Sequence, residues 1–255
     1  MSRRFAAFVA AGTALAVLVI GSLIAIALGK AQPPKPAVAS TSSSATPSAT
    51  PTKTPHVNAP TTPKRPVPNP TAAFAAGNKK VVFLSFDDGP DPVWTPKILQ
   101  VLAKHGAHAT FFELGSMQAA HPSQRDQVLA AGNTIGSHSI THPQLTALSA
   151  AKRHHEIFDG PRSTCFRPPY GATNAKVRAD IKAAGMVQVL WDVDPRDWAR
   201  PGTQAIVQNI LTHAHPRSII LLHDGGGDRS QTVAALDKVL PLLKAQGYSF
   251  PAMDC

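Results

Sequence analysis

From residue 80 onward, short apolar runs alternate with stretches of helical spacing. Residues 80–86, Lys-Val-Val-Phe-Leu-Ser-Phe, read as a buried strand that stops at the turn Asp87-Asp88-Gly89-Pro90. Helical spacing follows over 95–105, then a strand at 109–112 and a helix at 123–131. A short strand at 133–136 and a strand at 164–166 come next, followed by a helix over 174–184. The pattern continues with a strand at 187–191, a helix at 203–213, a strand at 218–222, a helix at 230–245 and a last strand at 248–250. Strands alternating with helices predict an α/β domain with about seven parallel strands. A different pattern precedes it. Residues 5–29 form one apolar run without a charge. As a helix this run is about 37 Å long, enough to cross the hydrocarbon core of a membrane. Arg3 and Arg4 precede it, which keeps the N-terminus in the cytoplasm and exports the rest.

Composition divides the chain further. Residues 31–72 hold 11 Pro and 13 Ser or Thr and almost no large apolar side chain. Such a tract cannot bury enough surface to fold and reads as a disordered, partly extended linker. Its upper reach, at about 3.1 Å per residue, is on the order of 130 Å. The expected organisation is therefore an N-terminal membrane anchor or uncleaved signal at 1–30, a linker at 31–78 and a folded domain at 79–255. The apolar run exceeds the about 7–15 residues of a signal core, which favours a retained single-pass transmembrane helix. Ala27-Leu28-Gly29 nevertheless resembles a small-residue cleavage site, and cleavage there would make the protein secreted. Either way the domain is expected outside the cell, as a monomer.

Charge changes the picture once more. The first acidic residue is Asp87, so the nine Lys and Arg of residues 1–86 are unopposed. The remaining sixteen basic residues meet all fifteen acidic ones and leave the domain at +1. A nucleic-acid-binding domain carries its basic excess on the folded surface, so no nucleic-acid partner is expected. The two cysteines, Cys165 and Cys255, can pair in an exported protein. Period-two alternation puts Cys165 on the same face as Arg167, which argues equally for a core thiol, and the pairing stays open.

Five polar clusters sit just after strand ends, the face on which parallel barrels assemble their sites. They are Ser85-Phe86-Asp87-Asp88-Gly89-Pro90, His138-Ser139-Ile140-Thr141-His142, Arg167-Pro168-Pro169-Tyr170-Gly171, the stretch from Asp192 to Trp198, and Leu221-Leu222-His223. Singly each has an ordinary reading: a turn, two surface histidines, a rigid Pro-Pro bend, a turn carboxylate beside an indole, a strand end. Asp88, His138 and His142 offer one carboxylate and two imidazoles, and two histidines one helical turn apart can converge on one ion. Three protein ligands leave positions open, as a catalytic site requires. Zinc suits this set, with cobalt, nickel or iron as possible occupants.

Together and in this order the clusters resemble the five motifs of the NodB-type polysaccharide deacetylases, a carbohydrate esterase family. The resemblance runs from about Val81 to Tyr248 and includes Ala109-Thr110-Phe111-Phe112 and the Gly-rich run after His223. It implies a distorted (β/α) barrel of fewer than eight repeats that removes N-acetyl or O-acetyl groups from an acetylated polysaccharide. It makes Asp88, His138 and His142 the metal ligands and Asp87 the general base toward the attacking water. Arg167 then holds Asp87 ionised, and the backbone N–H of Tyr170 joins the metal as oxyanion partner. His223 protonates the leaving amine, and Asp197 either orients His223 or supports Arg167. Trp198 and Leu221 wall the pocket for the acetyl methyl. The rest of the constellation is hydrolytic, which sets aside an oxygenase iron site.

Two departures accompany the resemblance. The segment 150–164 looks short for the helix and loop between the second and third motifs. Glu113 stands where the family has a neutral residue and is expected to face solvent, because Glu is rarely fully buried. The sequence thus points to an N-deacetylase of peptidoglycan or a chitin-like N-acetylglucosamine polymer. The alternatives are an O-acetyl esterase acting on acetylxylan and a non-catalytic glycan-binding wall module.

Overall fold

The computed structural model describes residues 80–255. The apolar run at 5–29 and the Pro-rich tract lie outside the described residues. Among the described residues no helix is long and apolar enough to cross a membrane.

Six strands form one parallel sheet: β1 (Phe83–Asp87), β2 (Ala109–Glu113), β3 (Thr134–Ser137), β4 (Cys165–Phe166), β5 (Val187–Gln188) and β6 (Ile219–His223). Their order is β5-β4-β3-β2-β1-β6. Past β5 the chain returns to the opposite edge, where Val193 bridges Ile220 of β6. The sheet thus curls into a half-barrel rather than a full one. The expected seventh strand does not form. Residues 248–250 contribute only the bridge between Val81 and Ser249, flanked by hydrogen bonds from Val82 N to Ser249 O and from His108 N to Phe250 O. The count of about seven is therefore corrected to six.

Alternation along β1 sorts the two faces. Leu84 and Phe86 join Phe111, Ile220 and Leu222 in the larger core cluster beneath the helices, with the Phe86 and Phe111 rings stacked at 5.0 Å. Phe83 points the other way, into the barrel, with Phe112, Cys165, Val189 and Met253. The next inward residues of β1 are Ser85 and Asp87. The barrel interior is therefore apolar at its base and polar where the strands end.

Helices cover the outer face: α1 (Trp94–His105), α2 (Gly115–Ala120), α3 (Pro122–Ala130), α4 (Ala150–Phe158), α5 (Ala175–Ala183), α6 (Thr203–His213) and α7 (Ser230–Ala245). In α1 the buried Ile98, Val101 and Leu102 follow helical spacing. The Asp91 carboxylate accepts the N–H groups of Val93 and Trp94 at its start, and Gly106 ends it with φ 60°, the left-handed conformation glycine adopts freely. Asn174 caps α5 by accepting Val177 N. The segment after residue 150 is long enough for a helix after all. Ser149 caps α4, whose buried face is Arg153, Glu156 and Ile157, and Arg153 pairs with Asp180 of α5 at 2.7 Å.

The cysteine question is settled. Cys165 and Cys255 are disulfide-bonded across 90 residues of sequence. Cys165 does lie on the inward face with Arg167, as alternation required, and the chain end reaches into the barrel base to meet it.

Candidate active site

A cavity of about 470 Å³ opens at the C-terminal ends of the strands. Of the ten residues expected there, Asp87, Asp88, His138, His142, Tyr170, Trp198, Leu221 and His223 line it. Arg167 and Asp197 lie behind the wall, both fully buried.

Asp87 ends β1 pointing inward. Its Oδ1 accepts a 2.6 Å hydrogen bond from Arg167 Nη1. The same nitrogen donates to Ser85 Oγ, while Arg167 Nη2 donates to Leu190 O. The guanidinium also stacks on Phe112, its Cζ 4.0 Å from the ring centre. Burial alone would raise the Asp87 carboxyl. The charge of Arg167, helped by His138 and His223, outweighs it and holds the carboxyl below its ordinary value.

Asp88, His138 and His142 each present one ligand atom, and these lie within 4.8 Å of one another. Asp88 Oδ1 is 3.7 Å from His138 Nε2 and 3.4 Å from His142 Nε2. This oxygen is buried without a hydrogen-bond partner, which is costly for a carboxylate unless a cation fills the gap. His138 Nδ1 sits 2.7 Å from the Arg167 carbonyl. A carbonyl can only accept, so Nδ1 carries the proton and Nε2 keeps its lone pair toward Asp88. Burial, the largest influence, lowers the His138 pKa despite Asp87 and Asp88 and favours the neutral, ligating form. The donor set therefore fits a divalent ion.

The two histidines do not converge by helical spacing, as the sequence suggested. Residues 138–142 form a loop in which Ser139 and His142 take positive φ values of 71° and 63°. Glu156 of α4 holds that loop, accepting from Ile140 N, Thr141 N and Thr141 Oγ1. Sequence reasoning missed Glu156 altogether.

His223 ends β6 directly beside Asp87 in the strand register. Its Nδ1 is 2.8 Å from Asp197 Oδ1, and Asp197 Oδ2 accepts from His223 N and Thr232 Oγ1. Asp197 thus orients His223; no contact ties it to Arg167. Burial pulls the His223 pKa down, but the Asp197 hydrogen bond and charge, with Asp87 and Asp88, outweigh it and raise the value.

Around the mouth, Tyr170 has φ 60° and is 68% exposed. Its ring meets His142 edge-on at 4.5 Å. Trp198 is half-exposed with Arg196 over its ring; Asp194, from the cluster 192–198, joins the lining, as do Trp191 and Arg229, which the sequence had not singled out.

Glu113 is the clearest reversal. Instead of facing solvent it is fully buried, with Gln118 Nε2 donating to its Oε2 at 2.7 Å. Burial, partly opposed by Gln118 and Arg125, pushes its pKa up to about 7. Its position at the end of an interior parallel strand, covered by α2, overrides the surface preference of the residue type.

A parallel half-barrel whose strand ends gather a carboxylate tied to Arg167, a histidine tied to another carboxylate, and a three-ligand cluster has the layout of a hydrolase. The chain belongs to the polysaccharide deacetylase family. The model of that family matches residues 75–189. The peptidoglycan-N-acetylglucosamine deacetylase of Bacillus cereus is 45% identical over 183 residues, which span 68% of this chain and 86% of that protein. The chitooligosaccharide deacetylase of Sinorhizobium fredii is 39% identical over 187 residues, 66% of this chain and 87% of that one. The solved structure of peptidoglycan deacetylase PdaC from Bacillus subtilis superposes with a TM-score of 0.63 at 38% identity, covering 69% of this chain and 88% of that chain.

Proposed function

We propose that this chain is a metal-dependent hydrolase that removes N-acetyl groups from a cell-envelope polysaccharide, peptidoglycan or a chitin-like N-acetylglucosamine polymer. The observation that carries this reading is the placement of the three-ligand cluster beside two opposed acid–base groups in one cavity. That relatives act as a peptidoglycan-N-acetylglucosamine deacetylase and a chitooligosaccharide deacetylase supports this choice of substrate.

Asp88, His138 and His142 would hold the ion, with zinc as the first expectation and cobalt or nickel as alternatives. When bound, it supplies Lewis acidity to the acetyl oxygen and the attacking water. Asp87, kept ionised by Arg167, takes the proton of that water. The oxygen of the scissile carbonyl gains negative charge as the water adds, and the Tyr170 N–H at the rim is the protein's donor toward it. An amide nitrogen leaves only when protonated, and His223, held as its proton donor by Asp197, delivers that proton. Trp198 and Leu221 bound the space for the acetyl methyl.

The same reading sets the domain outside the cell membrane, carried by the linker and the apolar segment, or free if that segment is cleaved. The test is an assay of the purified protein against acetylated chitooligosaccharides, peptidoglycan and acetylxylan, with and without chelator. Acetate release from the first two, lost on chelation and restored by zinc, is expected. Release from acetylxylan alone would establish the O-acetyl esterase instead. Binding without release from any of them would establish the glycan-binding module.

A further inference from the structure

The turn carrying Asp87 and Asp88 is gripped from behind by a residue outside the cavity. Asp88 has φ 76°, a left-handed conformation that a non-glycine residue keeps only where its surroundings determine it. Those surroundings come from the segment after β6. The N–H groups of Asp224 and Gly225 both donate to Asp87 O, at 3.1 and 3.3 Å. Gly225 lies so close to the turn that a Cβ on it would sit 2.2 Å from Asp88 O.

The Asp224 side chain completes the grip. It is fully buried and is not among the residues lining the cavity. One carboxyl oxygen, Oδ2, accepts a hydrogen bond from the Thr95 hydroxyl in the first turn of α1. That hydroxyl in turn accepts from Asp91 N at 2.8 Å, at the far end of the same turn. The carboxyl also packs directly on Gly89, where a Cβ would lie 2.2 Å from Oδ2. The second oxygen, Oδ1, is buried without a partner. A buried carboxyl that is only half satisfied destabilises the fold, so core packing alone does not account for it.

We propose that Asp224 is a positioning residue, which through Thr95 and Gly89 sets the backbone that aims the Asp88 carboxylate at His138 and His142. The proposal rests on the metal-dependent reading above, and it makes Asp224 act on metal affinity and turnover without touching substrate.

The test titrates the full-length protein with zinc in competition with a chromophoric chelator, substrate absent, and then measures kcat and KM at saturating zinc. Asp224→Ala should weaken zinc binding about 10- to 100-fold, the cost typical of removing a partner that orients a ligand, and should lower kcat with KM unchanged. Asp224→Asn keeps the size and an acceptor for Thr95 and should restore most of both. Thr95→Val should shift zinc affinity in the same direction by less. If Asp224→Ala does not melt cooperatively, Thr95→Val and Asp224→Asn decide. A folded Asp224→Ala, or in its place Thr95→Val, with wild-type zinc affinity and kcat overturns the proposal, as does a loss confined to KM. An Asp224→Asn variant as impaired as Asp224→Ala also overturns it, because shape and acceptor then do not matter. A wild type that binds zinc but releases no acetate sinks the functional reading and leaves this inference standing.

Discussion

His138 and His223 face one cavity from the ends of β3 and β6, and their surroundings push them in opposite directions. His138 is buried and His223 is largely so, with a side chain 12% exposed, and both feel the charges of Asp87 and Asp88. At His138 the Nδ1 partner is the neutral carbonyl of Arg167, and burial wins, lowering the pKa. At His223 the Nδ1 partner is the Asp197 carboxylate, and the charges win over burial, raising it. On the proposed mechanism, one side-chain type would serve as a neutral ligand on one wall and a proton carrier on the other. What decides is whether the rear nitrogen meets a carbonyl or a carboxylate.

The strongest way to break this contrast is on the ligand wall. His138→Ala should abolish metal retention and turnover together, read by metal content after dialysis and by acetate release. Next to it, Asp87→Asn should keep the metal but lose turnover by about 100-fold or more, as expected for removal of a general base. Equal metal loss in both variants would refute the division of roles between these neighbours.

The acid wall is probed by pH. As the proposed base Asp87 must be ionised, and its lowered pKa should place the acid limb of activity below the ordinary carboxylate range. As the proposed acid His223 must be protonated, so activity should fall as pH rises through its folded-state pKa, which lies above the ordinary value of about 6.5. Asp197→Asn removes the charge that raises that pKa and should move the alkaline limb to lower pH. The expected loss of turnover is on the order of 100-fold. His223→Ala should erase the limb and damage amide hydrolysis more than hydrolysis of an activated aryl acetate, whose leaving group needs no proton. An unchanged pH profile and equal losses on both substrates would show His223 to be a strand-end residue only.

Much of this was legible from strand ends. The inward alternation of Phe83, Ser85 and Asp87, and of Cys165 and Arg167, follows from period two once the strands are placed, so the chemistry-bearing residues could be found. What escaped was tertiary. Helix α4 buries Arg153 and Glu156 beside Ile157, and its spacing, which does segregate apolar from charged residues, gives no sign that the charged side faces inward. Glu113 looked like a surface residue because the preference of its type says nothing of depth in a parallel sheet. Residues 248–250 have strand composition, but Tyr248 N still bonds back to Leu243 O of α7, and the rest of their backbone pairs with Lys80, Val82 and His108, too little for a seventh strand. The left-handed φ at Asp88, Ser139 and His142 carries no glycine to announce it. The choice between His223 and Arg167 as partner of Asp197 likewise required knowing that Thr232 and His223 share its Oδ2.

The smallest expected effect sharpens the contrast most selectively. Glu156 touches only the ligand wall, through three hydrogen bonds to residues 140 and 141, and makes no contact with His223 or Asp197. Its carboxylate accepts from two adjacent backbone N–H groups and a hydroxyl at once, and in doing so fixes the loop whose end, His142, has a left-handed backbone. Glu156→Gln keeps the length of the side chain but removes its charge, so the bonds from the two N–H groups lose their charge assistance and the Thr141 hydroxyl must turn round to accept from the new NH2. The loop should then sample positions in which His142 Nε2 moves away from Asp88. Metal affinity should weaken by about tenfold, the low end of the range for partners that orient a ligand. At saturating metal, kcat should recover most of its value, because Asp87, Arg167 and His223 are untouched. The alkaline limb set by His223 and Asp197 should stay where it is. A shift of that limb in Glu156→Gln would mean that the two walls titrate as one unit, and the opposition between His138 and His223 would have to be abandoned.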